Sequence, residues 1–497
     1  MFKDTSKEEI DLIAKQAWQA FLQYSKMPLK KRAEFMRMAA SELEALGDDL
    51  IVLAQSETNL PEARLKNERA RTIFQLQSYA DACEKGDWME IRIDTSIPDR
   101  NPPKPDLRKM LVPLGPVVVY GASTFPFAYS TAGGDTACAF AAGCPVIVKA
   151  HPAHAGTSTA VAKALTKAAE KLNMPKGIFS HVYGEGFEVG KALVTHPLVK
   201  AVGFTGSFGG GKALFDWANQ RKEPIPVFSE MGSINPVFLL PGKLKESAAD
   251  IAKSYAGSIT LGVGQFCTNP GLIIGLAGED LDFFISILGT EIRKAAPGTM
   301  LHPGISKAYI DKRKVALEQS GVETIAVSES EPKENQGTPT ISSASGQAFL
   351  NNPVLHQEVF GPYSLVIRCK DIQEMQSVTE HTEGQLTCTL MATENDILEN
   401  ESLVDAVRNI CGRLILNGVP TGVEVCLSMQ HGGPFPASTD SRYTSVGADG
   451  IRRFARPLCY QNWKDELLPE ELKDGNPLEM WRTVNNELTK NKVTSSR

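Results

Sequence analysis

The stretch Phe204-Thr205-Gly206-Ser207-Phe208-Gly209-Gly210-Gly211 follows a short apolar run and opens a helical pattern, and its reading decides the fold. A strand that ends in small residues and turns into a helix presents free backbone N–H groups and the positive end of the helix dipole. That is a seat for a pyrophosphate. Working outward, apolar runs stand at Val117–Tyr120, Val146–Val148, Ile178–Tyr183, Ala201–Phe204 and Ile225–Phe228. Helical patterns separate them at Phe127–Ala142, Gly156–Leu172, Glu185–Thr195 and Ser207–Asn219. This alternation predicts a parallel, doubly wound sheet that binds ligands where strands end and helices begin. Lys149 closes one of these runs, so it points at the ligand edge. A second glycine-rich stretch, Gly184-Glu185-Gly186-Phe187-Glu188-Val189-Gly190, has its third glycine one position late for a dinucleotide fingerprint. The Gly206 stretch is the stronger cofactor candidate.

On either side of this block the pattern changes. From Lys7 to Glu84 it is helical, with Ile10, Ile13, Ala14, Ala17, Trp18 and Phe21 on one buried face. Pro28 and Pro61 open two further helices, in whose first turn proline is tolerated. Residues 94–106 are proline-rich and polar and mark an excursion. A second alternating block runs from Asn235 to Cys426, in which Ser328–Gly346 reads as a long polar surface loop. From Ile451 onward there is no clear core pattern.

The chain of 497 residues exceeds one hydrophobic core, so two or three domains are expected. A net charge of −6 leaves no basic footprint for nucleic acid. No apolar run is long enough to span a membrane, and residues 1–8 have no signal-peptide core. Nine cysteines without a CxxC pair read as reduced thiols in a cytoplasmic setting, all but Cys267 as small buried residues. His151 and His154 are spaced HxxH with no third ligand in sight, so no metal is expected.

The chemistry concentrates in two places. Gly262-Val263-Gly264-Gln265-Phe266-Cys267-Thr268 delivers one cysteine into a flexible loop, and Glu230 ends another apolar run 37 positions earlier. A thiol to attack carbon and a carboxylate to move protons suit covalent catalysis. Used without a nucleotide, the pair would serve a cysteine hydrolase, which has no use for the Gly206 stretch.

Phe204-Thr205-Gly206-Ser207, Glu230-Met231-Gly232, Gly264-Gln265-Phe266-Cys267 and Glu358-Val359-Phe360-Gly361-Pro362 stand in one order and spacing across nearly the whole chain. With them the sequence resembles the aldehyde dehydrogenase superfamily. Ala132-Gly133-Gly134-Asp135-Thr136-Ala137, Lys149-Ala150-His151-Pro152-Ala153-His154, Thr421-Gly422-Val423-Glu424-Val425-Cys426 and His431-Gly432-Gly433-Pro434 resemble one branch, the α-ketoglutaric semialdehyde (2,5-dioxovalerate) dehydrogenases. The resemblance implies a Rossmann-type cofactor domain (1–93 and 113–232), an α/β catalytic domain (233–440) and a small oligomerisation segment (94–112 and 450–497) building a homodimer or homotetramer. It implies Cys267 as nucleophile and Glu230 as the base that activates hydrolytic water. Lys149 and Ser207, with Gly206, would contact the adenosine and phosphate half of NAD(P), Glu358 would hold the nicotinamide ribose with Phe360 beside the ring, and Met231 would be a further cofactor-binding residue. The helix Asn67–Ala80 would border the substrate tunnel, with Arg71 as a bidentate clamp for a substrate carboxylate. Its alternative is a surface arginine paired with Glu68 or Gln75. Phe125 and Phe266 would line the tunnel.

Two departures bear on activity. The family places an asparagine before the Phe-Pro of the loop after the first strand, to hold the oxyanion; this chain has Thr124. A weakened enzyme or a non-catalytic homologue is the alternative this raises. NAD-preferring members often carry a glutamate three residues after the lysine, where this chain has Pro152, which favours NADP with NAD left open. The expected reaction is oxidation of α-ketoglutaric semialdehyde to 2-oxoglutarate, with another semialdehyde or an aliphatic aldehyde as alternative.

Overall fold

The computed structural model describes residues 2–494; Met1 and 495–497, at the ends of the outer segments outlined above, lie outside the described residues. Four helices lead: α1 (Lys7–Tyr24), α2 (Leu29–Glu44), α3 (Gly47–Thr58) and α4 (Glu62–Lys85). Ser6 opens α1 with a capping box, its hydroxyl accepting from the Glu9 N–H while the Glu9 carboxylate accepts from the Ser6 N–H. The buried face of α1 is Ile10, Ala14, Ala17, Ala20 and Tyr24, so the larger Trp18 and Phe21 flank it rather than fill it. Pro28 and Pro61 sit just before α2 and α4 rather than inside their first turns. The sequence reading missed α3, which Gly47 separates from α2 with a left-handed φ of 61°.

After β1 (Arg92–Asp94) and β2 (Leu107–Pro113), the first main sheet is laid down. It comprises β3 (Val117–Tyr120), β4 (Val146–Lys149), β5 (Phe179–Val182), β6 (Ala201–Thr205) and β7 (Val227–Glu230). The connecting helices are α5 (Gly134–Ala142), α6 (Ala155–Lys171), α7 (Phe187–Thr195) and α8 (Phe208–Asn219). All pairings are parallel, in the order β5-β4-β3-β6-β7. The chain winds outward from β3 in one direction and then from β6 in the other. The crevice between the C-terminal ends of β3 and β6 is therefore the switch point where such sheets bind ligands. The helix expected from Phe127 begins only at Gly134. A Cβ on Gly133 would lie 2.4 Å from the Ala128 carbonyl oxygen, so residues 125–133 close into tight turns instead.

The chain then crosses to a second sheet through β8 (Val237–Leu239), α9 (Pro241–Thr260), β9 (Leu272–Leu276) and α10 (Glu279–Lys294). A two-residue strand β10 (Gly298–Thr299) precedes α11 (Pro303–Leu317) and β11 (Val322–Val327), and pairs with β12 (Gln336–Gly337). The sheet is completed by β13 (Thr340–Ser345), β14 (Tyr363–Cys369), β15 (Gln385–Met391) and β16 (Cys411–Leu416). Its order is β11-β13-β14-β9-β8-β15-β16, parallel except for β11. The polar stretch Ser328–Gly346 is thus not one long loop, because its second half is the buried strand β13. Its hydroxyls are satisfied locally. Ser342 bonds the Tyr363 hydroxyl at 2.6 Å, Thr340 donates to the Thr338 carbonyl at 3.0 Å, and Ser343 accepts from Arg368 at 3.1 Å.

The C-terminal residues do carry structure. β17 (Ala455–Gln461), β18 (Arg482–Val484) and β19 (Glu487–Thr489) join β1 and β2 in a third sheet, ordered β17-β2-β1-β18-β19. Cys426 and Cys459 are exposed, contrary to their reading as buried residues, while Cys411 is half-buried. No described helix is long and apolar enough to cross a membrane. A buried ion pair ties the segment before β17 to α5, with Arg453 Nη1 2.7 Å from Asp135 Oδ1. Removing one partner of such a pair leaves an uncompensated charge. Arg453→Met should lower unfolding free energy by about 3–5 kcal/mol in a denaturant titration, and adding Asp135→Asn should recover part of it.

Candidate active site

The cysteine loop is a backbone construction. Gly262, Val263 and Gly264 take left-handed φ values of 54°, 59° and 65° in succession, which for β-branched Val263 is a strained conformation. A Cβ on Gly264 would lie 2.3 Å from the carbonyl carbon of Gly361, so glycine is required where this loop meets Glu358–Pro362. Asn235, itself left-handed at φ 46°, donates from one amide nitrogen to the carbonyls of Cys267 and Asn269 at 2.9 Å and of Ser233 at 3.2 Å. Gln385 on β15 in turn accepts from Ser233 Oγ and the N–H groups of Ile234 and Asn235. The crossing from β7 to β8 and the cysteine loop are thereby held as one unit.

Glu230 ends β7, opposite Thr205 of β6. Its Oε2 accepts from Ser445 Oγ at 2.6 Å, and its Oε1 lies 2.9 Å from His431 Nε2. His431 Nε2 is also 3.5 Å from Cys267 Sγ, and one reactive atom of each of the three side chains lies within 4.8 Å of the other two. Glu230 and His431 are buried and Cys267 is half-buried, not on an exposed loop as the sequence suggested. Burial opposes ionisation of Glu230, but His431, Ser445 and the Cys267 thiol outweigh it and hold the carboxyl below its ordinary range. Burial and the adjacent Glu230 charge push the Cys267 thiol well up, which the Arg71 guanidinium only partly offsets.

A cavity of about 330 Å³ runs from this pair toward the first sheet. Glu230 and Cys267 line it together with Thr124, Phe125, Gly206 and Ser207. Met231, Glu358 and Phe360 complete its wall. Ser207 caps α8, its hydroxyl accepting from the Gly210 N–H, and a Cβ on Gly209 would meet no atom within 4 Å. The first turn of α8 is thus open to an approaching phosphate, which fits a dinucleotide. Burial raises the Glu358 carboxyl to about 7. Lys149, half-buried at the end of β4, lies outside this cavity on the same sheet edge. His154 bonds the Ala122 carbonyl at 2.8 Å, fixing the loop after β3, and the His151 and His302 rings stand beside it.

On the far side, Arg71 is not a surface residue paired with Glu68 or Gln75. It donates to the Tyr129 hydroxyl at 3.0 Å with its guanidinium 5.4 Å from that ring's centre, and its buried Nε has no partner. Phe125 packs against Tyr129 and Phe266 with ring centres 5.1 and 5.8 Å apart. The sequence reading missed the residues that hold this wall. Arg64 lies over both phenylalanines and donates to the Thr124 carbonyl at 2.7 Å, while Glu68 accepts from the N–H groups of Phe127 and Ala128. Helix α4 therefore grips both ends of the Thr124 loop. Arg413 on β16 donates to the carbonyls of Pro420 and Gly422. His431 and Ser445 were missed because nothing in their spacing ties them to Glu230; the His431-Gly432-Gly433 stretch was the only signal.

Comparison with known proteins follows the same lines. The profile described as the aldehyde dehydrogenase family matches residues 1–440. Alpha-ketoglutaric semialdehyde dehydrogenase 2 of Azospirillum brasilense is 48% identical over 479 residues, covering 96% of this chain and 91% of that protein. The alpha-ketoglutaric semialdehyde dehydrogenase of Acinetobacter baylyi is 44% identical over 493 residues, covering 99% and 93%. In fold, the 1-pyrroline-5-carboxylate dehydrogenase from Thermus with bound NAD superposes with a TM-score of 0.77 at 21% identity, over 92% of this chain and 86% of that one.

The Asn235 amide can be tested directly. Asn235→Ala removes donors from three carbonyls and should lower unfolding free energy by about 2–4 kcal/mol in a denaturant titration. Asn235→Asp, which sets a carboxylate against the same oxygens, should cost at least as much.

Proposed function

The chain belongs to the aldehyde dehydrogenase family, and from that premise we propose that it oxidises α-ketoglutaric semialdehyde to 2-oxoglutarate with NADP or NAD. The observation that carries this reading is the single cavity lined by Cys267, Glu230 and the open N-terminus of α8. Relatives at 44% and 48% identity, named for that semialdehyde, support the substrate.

The nicotinamide, when bound, supplies the hydride acceptor. Cys267 Sγ attacks the aldehyde carbon, forming a C–S bond and an alkoxide, and the Thr124 hydroxyl donates to that oxygen in place of the family's asparagine. Oxidation leaves a thioester on Cys267. Glu230 then takes a proton from water as its oxygen attacks the thioester carbon; the C–S bond breaks and the sulfur leaves as thiolate. Gly206 and Ser207 would hold the diphosphate at the α8 N-terminus. Glu358 would hold the nicotinamide ribose, with Phe360 beside the ring and Met231 as a further cofactor contact. Lys149 would meet the adenosine end, where Pro152 places no carboxylate against a 2′-phosphate, which favours NADP. Exposed Leu488 and Trp481 on and beside the third sheet support a homodimer or homotetramer.

Mixing the protein with NADP and the semialdehyde should raise absorbance from reduced nicotinamide, and Cys267→Ser should abolish it. A panel of aldehydes on the pure protein would move the reading to another substrate if a neutral aldehyde proved far better. Arg71 presents an unpartnered buried N–H beside Tyr129. Arg71→Met should raise KM for acidic aldehydes about 10- to 100-fold and spare neutral ones, the loss expected for hydrogen bonds to a charged group. Equal effects on both would place it outside the pocket. Losing one oxyanion donor costs roughly a hundredfold in rate. A threonine hydroxyl reaches less far than an amide, so Thr124→Asn should raise kcat; an unchanged or lower kcat would rule out the weakened oxyanion site.

A further inference from the structure

We propose that His431 is a catalytic residue, acting as a hydrogen-bond donor whose single Nε2–H is directed at the Cys267 sulfur and stabilises the negative charge that forms there as the thiol proton passes to Glu230. The proposal rests on the reading of Cys267 as the nucleophile. His431 Nε2 bonds Cys267 Sγ at 3.5 Å and stands 2.9 Å from Glu230 Oε1, an oxygen that accepts no hydrogen bond, so the N–H is left to the sulfur. The imidazole is 1% exposed, and its Nδ1 is buried without a partner.

That orphan nitrogen decides between three roles. A general base or a metal ligand would use the Nε2 lone pair, which moves the ring proton to Nδ1. There it would be a buried N–H with no acceptor, whereas metal-binding histidines pass that N–H to a partner. With the proton on Nε2 the ring leaves only an unused lone pair on Nδ1, which is less costly. His431 is therefore a donor rather than a base or a ligand.

The proton balance is closed. The Cys267 S–H bond breaks, the proton goes to Glu230 Oε1, the electron pair stays on sulfur, and the net charge of the pair is unchanged; Glu230 then releases that proton to solvent before it takes one from the hydrolytic water. The Nε2–H hydrogen bond stays on the sulfur and strengthens as the thiolate forms. Ser445 keeps Oε2 occupied throughout at 2.6 Å, so Oε1 is the oxygen that exchanges. Around the sulfur, Glu230 at the end of β7 and Glu358 oppose the thiolate, while Arg71 on α4 favours it. Arg413 on β16 and Tyr129 also face this charge. Arg71 spends its directed bond on Tyr129 and Arg413 spends two on carbonyls, which leaves His431 as the side-chain donor in contact with the sulfur.

The test reads the thiol itself. Iodoacetamide alkylation of Cys267, located by mass spectrometry, is followed against pH in the wild type, His431→Gln and His431→Leu, with nucleotide binding and the unfolding midpoint reporting the fold. Leucine, which cannot donate, should slow alkylation at pH 7 about 10- to 100-fold and move the thiol titration upward. Glutamine, a neutral donor, should restore most of the rate. A leucine variant that titrates like the wild type overturns the proposal, and so does a glutamine variant as slow as leucine. Nitrogen-15 shifts of the wild-type imidazole give a readout that needs no substitution. They should report a proton on Nε2, and a ring protonated only at Nδ1 overturns the assignment. Failure of the dehydrogenase reading would appear separately, as no nucleotide reduction by a wild type whose thiol still titrates as expected.

Discussion

The buried amide of Asn235 is the constraint on which the site depends. Three carbonyl oxygens from two separate stretches of chain converge on one amide nitrogen. Satisfying them fixes where Cys267 stands relative to the end of β7, and hence relative to Glu230. The backbone pays with a left-handed residue at Asn235 and three more at Gly262, Val263 and Gly264. Asparagine and glycine adopt that conformation readily and valine does not, so the strain sits one turn before Cys267.

Around that anchor, the chemistry is a matter of competing charges in a dry place. A carboxylate beside a thiol makes a thiolate expensive, and burial raises the cost for both. The site answers with donors: Ser445 on the carboxylate and His431 against the sulfur, with Arg71 acting at longer range on the sulfur. The opposite wall follows the same economy. Helix α4 spends Arg64 and Glu68 on backbone groups of the Thr124 loop, so the position of that hydroxyl is set by a helix far from it in sequence.

The parallel sheet and the helix opening at Ser207 were legible because each is a local pattern, whereas the pairing of Cys267 with Glu230, 37 positions apart, rested on their residue types and the family resemblance. An apolar run, a glycine cluster and a helical period extend over a few residues and carry their own physical signature. The strand Thr340–Ser345 was misread because its hydroxyls look solvated until Tyr363 and Arg368 are seen to satisfy them. The helix begun too early at Phe127 failed because the Gly133 turn depends on contact with Ala128. The exposure of Cys426 and Cys459 likewise depends on what packs over them.

Order along the chain thus carried the class of fold and the candidate pair Cys267 and Glu230, since covalent chemistry needs those residue types and their flanks are local. Folding in three dimensions decided the rest: that His431 and Ser445, some 200 residues after Glu230, close on its two oxygens, and that Arg71 turns to Tyr129 instead of to solvent. Hydrogen bonds and desolvation act over a few ångströms of space, and separation along the chain says nothing about those distances until the sheets are stacked.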